Sequence, residues 1–390
     1  MAKSSPRHLL IFENRTEGHH LHWLRYITED FLTTGSRITL ALDYRPETKE
    51  RVHSHLLGLT EKVDMISIYN NGGTLRGGNL VNTIAACLEE SGAEEVFMNN
   101  LDEIASRCLR LAAIGIYPPR IIRGRLSGVY FRPRFLTNPV WPPGNILKDI
   151  GFRKLTHRKW LNKIYLTDEY LLENAQHRYA GQPFFFLPDP WDGTFLHDQK
   201  EARQKLGIPA DRFVYLCYGI GDRRKGLHLA VQALMESSAD SRLYLLCAGS
   251  IAPDQETSHR LEELKNRGQA KVINRYVSDS EQSLCFCACD VVLLPYIRHF
   301  GSSGVLSLSA AAGKMVIASD EGLLARRIKQ HNLGWVFPSG NTEELKVCMH
   351  NASLLKKTDM IQFQQSAYQY AHTCSREAFR KALLSPFGDE

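Results

Sequence analysis

No uninterrupted apolar stretch in this sequence approaches the roughly 20 residues that span a bilayer. The opening Met1-Ala2-Lys3-Ser4-Ser5-Pro6 leads only into the short run Leu9-Leu10-Ile11-Phe12. That run is too brief for a secretory signal and reads as a first strand. The nine cysteines are irregularly spaced and fit no disulfide framework, and the alternating Cys285, Cys287 and Cys289 fit no zinc finger. Reduced thiols in a cytoplasmic protein are the expectation. Acidic residues nearly vanish from one stretch: between Arg120 and Lys163 there are eleven basic residues and a single acid, Asp149. This stretch carries +10 of a net charge of +6, so the remainder is −4. A basic excess this local favours one anionic contact surface and disfavours nucleic acid as a general partner.

What is present points to a globular α/β chain. The length of 390 residues suits two domains, and 43% hydrophobic with 23% charged residues is ordinary for an enzyme. Strands are predicted at His8 to Glu13, Ile38 to Leu42, Val63 to Ile68, Val96 to Asn99 and Ile164 to Thr167. Helices are predicted at His20 to Leu32, Leu80 to Leu88 and Leu101 to Leu111. After the turn-rich Pro188-Asp189-Pro190-Trp191-Asp192-Gly193 the alternation starts again. Strands at 213–217, 242–247, 271–273, 291–294 and 315–318 are separated by helical segments, with helices at 227–235 and 305–312. Two doubly wound domains are therefore expected, 1–190 and 195–362, with a helix around 363–390 packing back on the first. Ligands of such sheets sit beyond the carboxyl ends of the strands, and a cleft between two such domains is the expected active site.

Three motifs follow in order in the second half. The first, Tyr218-Gly219-Ile220-Gly221-Asp222-Arg223-Arg224-Lys225-Gly226, lies between a strand and a helix. Its glycines admit a close anion, and Arg223, Arg224 and Lys225 suit a pyrophosphate. The spacing is neither the dinucleotide fingerprint nor a P-loop, and a solvated basic turn is the plainer alternative. The second, His299-Phe300-Gly301-Ser302-Ser303-Gly304, opens an apolar helix, where amides at a helix start face an anion. An ordinary capped core helix would look the same. The third runs Gly313-Lys314-Met315-Val316-Ile317-Ala318-Ser319-Asp320 and ends in Gly340-Asn341.

Taken together, these residues resemble the C-terminal domain of glycosyltransferase family 4, retaining enzymes of the GT-B fold. Gly219, Lys225 and Gly226 match the family's first motif, and Gly313, Lys314, Val316 to Asp320 match its third. The resemblance implies two Rossmann-like domains facing a central cleft and transfer from a nucleotide diphosphate sugar, with no other cofactor and no metal. It makes Lys225, Arg224, His19 and Asn99 the candidate catalytic residues. The candidate donor contacts are Gly18, Gly219, Gly221, Arg223, Tyr276, His299, Gly301, Ser302, Ser303 and Gly304. The family's two glutamates fall on Phe300 and Leu308, and its first-motif arginine on Ile220. A nucleotide-sugar epimerase on the same fold and a non-catalytic partner subunit therefore stay open beside the transferase.

In the first half, the loop Glu13 to His22 carries Gly18 and His19 where the family lays a glycine loop over the donor. Exposed histidines at a helix start are the alternative, and His19 with His22 lacks a third ligand for a metal. Phe97-Met98-Asn99-Asn100-Leu101-Asp102 supplies amides and a carboxylate for sugar hydroxyls. The basic stretch interleaves aromatics, which suits an anionic membrane or lipid-linked acceptor. Its candidate surface residues are Arg132, Arg134, Trp141, Arg153, Lys154 and Trp160. Prolines 133, 139, 142 and 143 are expected to break much of it into loops. Core aromatics and paired surface arginines are the plainer alternative. The expected location is cytoplasmic, with peripheral contact at the inner membrane face.

Overall fold

Each half of the chain assembles short apolar runs into a parallel sheet covered by helices on both faces, which is why its central strands are buried nearly end to end rather than alternating. The computed structural model describes residues 7–17, 20–137, 143–237 and 240–388. The first sheet contains β1 (His8–Glu13), β2 (Arg37–Leu42), β3 (Asp64–Ser67) and β4 (Glu95–Met98). It continues through β5 (Leu126–Tyr130), β6 (Leu161–Leu166) and β7 (Phe184–Phe186). Their spatial order is β3-β2-β1-β4-β5-β6-β7, every pairing parallel. The second sheet contains β8 (Phe213–Tyr218), β9 (Leu243–Ala248), β10 (Ala270–Ile273), β11 (Val291–Leu294), β12 (Met315–Ser319) and β13 (Gly334–Phe337). Its order is β10-β9-β8-β11-β12-β13, again all parallel.

In each sheet the order reverses beside its first strand, between β1 and β4 and between β8 and β11. Such switch points leave a crevice at the carboxyl ends of the strands. Leu9 to Phe12 are fully buried, Leu9 and Ile11 toward one face and Leu10 and Phe12 toward the other. The second sheet repeats this with Tyr215 on one side of β8 and Val214 and Leu216 on the other.

The chain divides into two units, one reaching Leu187 and resuming at Phe379, the other running from Pro188 to Ala378. The expected helix over 363–390 is two helices, Lys357–Thr373 and Arg376–Leu384. The first stays with the second unit, where Ala367, Tyr370 and Ala371 join the core beside Leu306 and Ala310. Trp191 accounts for its end: the indole Nε1 donates to the Ala371 carbonyl (2.8 Å) and the backbone N–H to that of Cys374 (3.3 Å). Only from Phe379 onward does the chain return to the first unit. There Phe379 meets Trp23 edge-on at 5.2 Å, Phe387 meets Phe31 at 5.0 Å, and the Tyr165 hydroxyl donates to the Leu383 carbonyl.

A second correction concerns the prolines of the basic stretch. Pro143 begins a 15-residue helix, Pro143–His157. In the first turn of a helix a proline surrenders an N–H that has no intrahelical acceptor, so it starts the helix rather than breaking it. All nine cysteines are free thiols. Among the described residues no helix is long and apolar enough to cross a membrane.

Candidate functional site

At the switch point of the second unit, β8 ends in a turn that the sheet itself holds. Gly219 donates its N–H to the Ala248 carbonyl (2.8 Å), and Gly221 donates to that of Ser250 (2.9 Å). These two amides are therefore spent on β9 and do not face an anion, contrary to the role expected of them. Within the turn, Lys225 N–H donates to the Asp222 carboxylate (2.6 Å). Gly226 adopts φ +70°, and a Cβ there would lie 1.8 Å from the Pro295 carbonyl oxygen, so only glycine lets this turn lie against the end of β11.

Lys225 consequently reaches over the crevice. Its ammonium sits 3.8 Å from the ring centroid of Tyr296, just beyond β11. The Tyr296 hydroxyl is 3.5 Å from Ser303 Oγ. Ser303 precedes the helix Gly304–Ala311 but makes no side-chain cap to it. That helix therefore presents uncapped amides, with the positive end of its dipole, to the space beside Lys225 and Tyr296. A cavity lined by Gly219, Gly221, Lys225, Gly249, Ile251 and Tyr296 marks the place.

A buried acid also stands at this cationic site. Asp189 is buried, its carboxyl bonded by the Ser302 hydroxyl and subject to the charges of Arg327 and Lys225. Burial pushes its pKa above the usual carboxylate range, and those three partners pull it back only in part. A side chain on Gly304 would come within 3.7 Å of the Asp189 carboxylate, so the acid lies against the first turn of the helix. The Ser307 hydroxyl holds the Asp189 carbonyl at 2.8 Å.

The other candidates on this side are placed as follows. Arg223 is ion-paired with Asp254 at 2.9 Å, and Arg224 lies 3.9 Å from Asp222. Tyr276 is exposed beyond the carboxyl end of β10. His299 Nε2 lies 3.0 Å from the Ser302 carbonyl and the ring stands edge-on to Tyr296, which closes the turn carrying Gly301 and Ser302. Glu321 clamps the same turn by accepting the Arg298 N–H (2.6 Å). Leu308, in place of a family glutamate, packs against the core, while Phe300 is half exposed.

The first unit fills its own switch point differently. Glu13, the last residue of β1, is buried and accepts the Arg15 N–H (2.7 Å) and the Asn99 side-chain amide (2.5 Å). His20 Nδ1 lies 3.1 Å from the same carboxylate, and Asn99 Nδ2 also donates to the His20 carbonyl (3.1 Å). Asn99 is 1% exposed, and its amide nitrogen ties the end of β4 to β1, while its Oδ1 is buried without a hydrogen-bond partner among the described residues. Asp102, another sugar-binding candidate, accepts the backbone N–H groups of Phe131 (2.8 Å) and Arg132 (3.1 Å). Gly18, His19 and Trp141 lie outside the described residues.

Of the candidate surface residues, Arg132, Arg134, Arg153 and Lys154 are exposed, whereas Trp160 is buried and stacks on Tyr117. Trp160 therefore belongs to the core and not to a surface. The sequence offered no sign of Tyr296, Asp189 or Glu321 as members of a site. An aromatic after a proline and an acid in a linker are common, and only the fold brings Tyr296 and Asp189 to Lys225 and Glu321 to the Arg298 amide.

The family model for "Glycosyl transferases group 1" matches residues 198–374, which contain nearly all of the second unit. No curated protein matches the chain in sequence. Among solved structures, the chain is similar to Alr3699/HepE of Anabaena in complex with UDP and glucose, at 16% identity, with 98% of this chain and 100% of that one covered and a TM-score of 0.67. It is similar to sucrose-phosphate synthase from Thermosynechococcus elongatus at 13% identity, 98% of each chain and a TM-score of 0.72. The glycosyltransferase WaaG, involved in lipopolysaccharide biosynthesis, gives 16% identity, 97% and 98% coverage and a TM-score of 0.65. The chain thus has the GT-B fold, two Rossmann-like α/β units, and its second unit carries the group 1 glycosyl transferase signature.

Proposed function

We propose that this protein transfers a glycosyl unit from a nucleoside diphosphate sugar to an acceptor, the diphosphate being held at the switch point of the second unit. The observation that carries the reading is the convergence of the Lys225 ammonium and the uncapped start of helix Gly304–Ala311 at the carboxyl ends of β8 and β11. As the glycosidic bond to the diphosphate breaks, negative charge grows on the leaving oxygens. A fixed ammonium and helix-end amides stabilise that charge more than they stabilise the ground state, which is what lowers a barrier. Lys225 is the principal group in this reading. Arg224 adds a second charge once released from Asp222, and Arg223 acts from its pair with Asp254. Ser302, Ser303 and Gly304 hold the phosphates through backbone amides, and Tyr276 lies where a base would reach beyond β10.

The family resemblance supports retention at the anomeric carbon and a hexosyl unit. The UDP complex of HepE makes UDP the first nucleotide to try. The test is thermal unfolding of the whole chain with UDP, GDP and ADP, followed by transfer assays with the matching sugars. A bound nucleotide at 100 times its Kd stabilises by about 2.7 kcal/mol. The reading requires such a shift in the wild type and its loss in Lys225→Ala. No shift with any nucleoside diphosphate would overturn it.

A second reading is favoured by Leu308, whose packing against the core replaces a hydroxyl-binding glutamate with an aliphatic chain. It is a nucleotide-binding subunit without turnover. Nucleotide stabilisation with no transfer to any acceptor would select it.

A further inference from the structure

The basic stretch of the first unit acquires a face that the sequence did not show. Helix Pro143–His157 buries Asn145, Asp149, Gly151, Phe152 and Leu155. Its opposite arc presents Ile146, Leu147 and Ile150, all about 40% exposed, followed by Arg153, Lys154 and Arg158. The neighbouring helix Asp102–Ala113 ends against it, where Lys154 Nζ donates to the Ala113 carbonyl (2.6 Å). Just beyond that point Ile114 and Ile116 are 68% and 54% exposed. Five aliphatic side chains on one side of a unit are more than the scattered exposure expected of a soluble surface.

In this part of the chain basic residues far outnumber acids. From residue 104 to 167 the sequence contains thirteen basic residues and one acid, Asp149. Asp149 is buried and already bound by Arg153 (3.1 Å), Arg178 (3.2 Å) and the Tyr179 hydroxyl. Arg107, Arg110, Arg153, Lys154, Arg158 and Lys159 are exposed. Lys148 is crowded by like charge: burial, then Arg110 and Arg134, hold its pKa below the ordinary lysine value, with Asp102 opposing. Arg132 lies beside Asp102 and Arg153 beside Asp149, and the excess of cations over these carboxylates complements an external anion.

The aromatics decide which anionic partner fits. Tyr130, Phe135, Phe152 and Trp160 are buried, and the Arg158 guanidinium lies over Tyr117. Single-stranded nucleic acid binds such surfaces by stacking bases on exposed rings, and these described rings are occupied. Aliphatic side chains flanked by lysine and arginine instead match the boundary between lipid headgroups and acyl chains.

We propose that the face formed by the end of helix Asp102–Ala113 and the exposed arc of helix Pro143–His157 docks peripherally on an anionic lipid bilayer. Ile146, Leu147 and Ile150 enter the headgroup boundary while Arg110, Lys148, Arg153 and Lys154 meet lipid phosphates. This goes beyond glycosyl transfer and does not rest on it. The measurement is co-sedimentation of the full chain with neutral phosphatidylcholine vesicles and with vesicles containing phosphatidylglycerol, at low and high salt. Arg110→Glu/Lys148→Glu should weaken partitioning onto anionic vesicles by roughly 10-fold or more. Ile146→Ser/Ile150→Ser should weaken it several-fold even at low salt, and Arg260→Glu/Lys265→Glu, on a helix of the second unit, should not. Thermal unfolding and nucleotide stabilisation of each variant establish folding and keep this outcome separate from that of the transferase reading. Equal or negligible binding to the two vesicle types at low salt overturns the proposal. So does equal weakening by the distant charge reversals, or binding of an oligonucleotide without binding of vesicles.

Discussion

At the β1/β4 switch point the carboxylate of Glu13 is enclosed by donors of its own unit: Asn99, His20 and the Arg15 amide. At the β8/β11 switch point the Lys225 ammonium lies over the face of Tyr296 with the Asp189 carboxyl nearby, and Ser303 makes no side-chain cap to the adjoining helix. The two crevices share a topology but not a chemistry. One is closed by an internal anion whose hydrogen bonds are made, and the other leaves positive charge for something external. The comparison teaches that a doubly wound sheet supplies the place for a ligand, while a few residues after its first and fourth strands decide whether that place is used.

The largest expected effect breaks the open side. Lys225→Ala should lower transfer by roughly 10²-fold or more and remove nucleotide stabilisation, as read by turnover and by thermal unfolding with UDP. Ser303→Pro deletes one helix-start amide and should weaken nucleotide binding, whereas Ser303→Ala should be mild because the amide survives. Wild-type affinity in a folded Ser303→Pro variant would refute the role of the amides.

Breaking the closed side should affect stability instead. Glu13→Ala removes the carboxylate that accepts from the buried Asn99 amide and the Arg15 N–H, at a cost of about 1–3 kcal/mol in chemical denaturation. Nucleotide affinity should not change. If that variant loses UDP binding while remaining folded, the division of labour between the crevices is wrong.

The smallest effect sharpens the comparison, because Asp189 is a buried acid on the cationic side. Its pKa is raised by burial, so folding disfavours its charged form relative to the unfolded chain. For an acid shifted upward, the relative stability is present below the unfolded value and is lost as pH rises through the folded one. Asp189→Asn should therefore unfold like the wild type in acid and at a higher temperature than the wild type as pH passes above the usual carboxylate range. It should also bind UDP several-fold more tightly, since a negative charge near Lys225 is gone. A lower melting temperature at every pH would show that the ionised carboxylate is a net support of this turn.

Much of the fold was legible because parallel strands buried on both faces are continuous apolar runs. The runs at 8–13 and 291–294 coincide with β1 and β11. The strands that escaped notice are those with weak runs. β5 hides inside the basic stretch and contains Gly128, β7 has three residues, and β13 has four and opens on Gly334. The helix Pro143–His157 escaped because a proline was read as a breaker where it stands in the first turn. At the site, Lys225 and Ser303 were legible from glycine-rich spacing at helix starts. Tyr296, Asp189 and the Glu13 network were not, because each acquires its role from a partner far along the chain. The partner of the Asn99 amide nitrogen was hidden for the same reason: it donates to Glu13, 86 residues earlier.

The return of the chain at Phe379 bears on how the protein is made. Trp23 and Phe31 belong to a core that is complete only when Phe379, Leu383 and Phe387 arrive. All of residues 188–378 lie between. At ribosomal rates of about 5–20 residues per second, that interval lasts roughly 10–40 seconds. Throughout it the first unit must exist on the ribosome with an apolar groove uncovered, while the second can fold as one uninterrupted piece. Order of synthesis and order of completion are thus inverted: the half that emerges first is the half that finishes last.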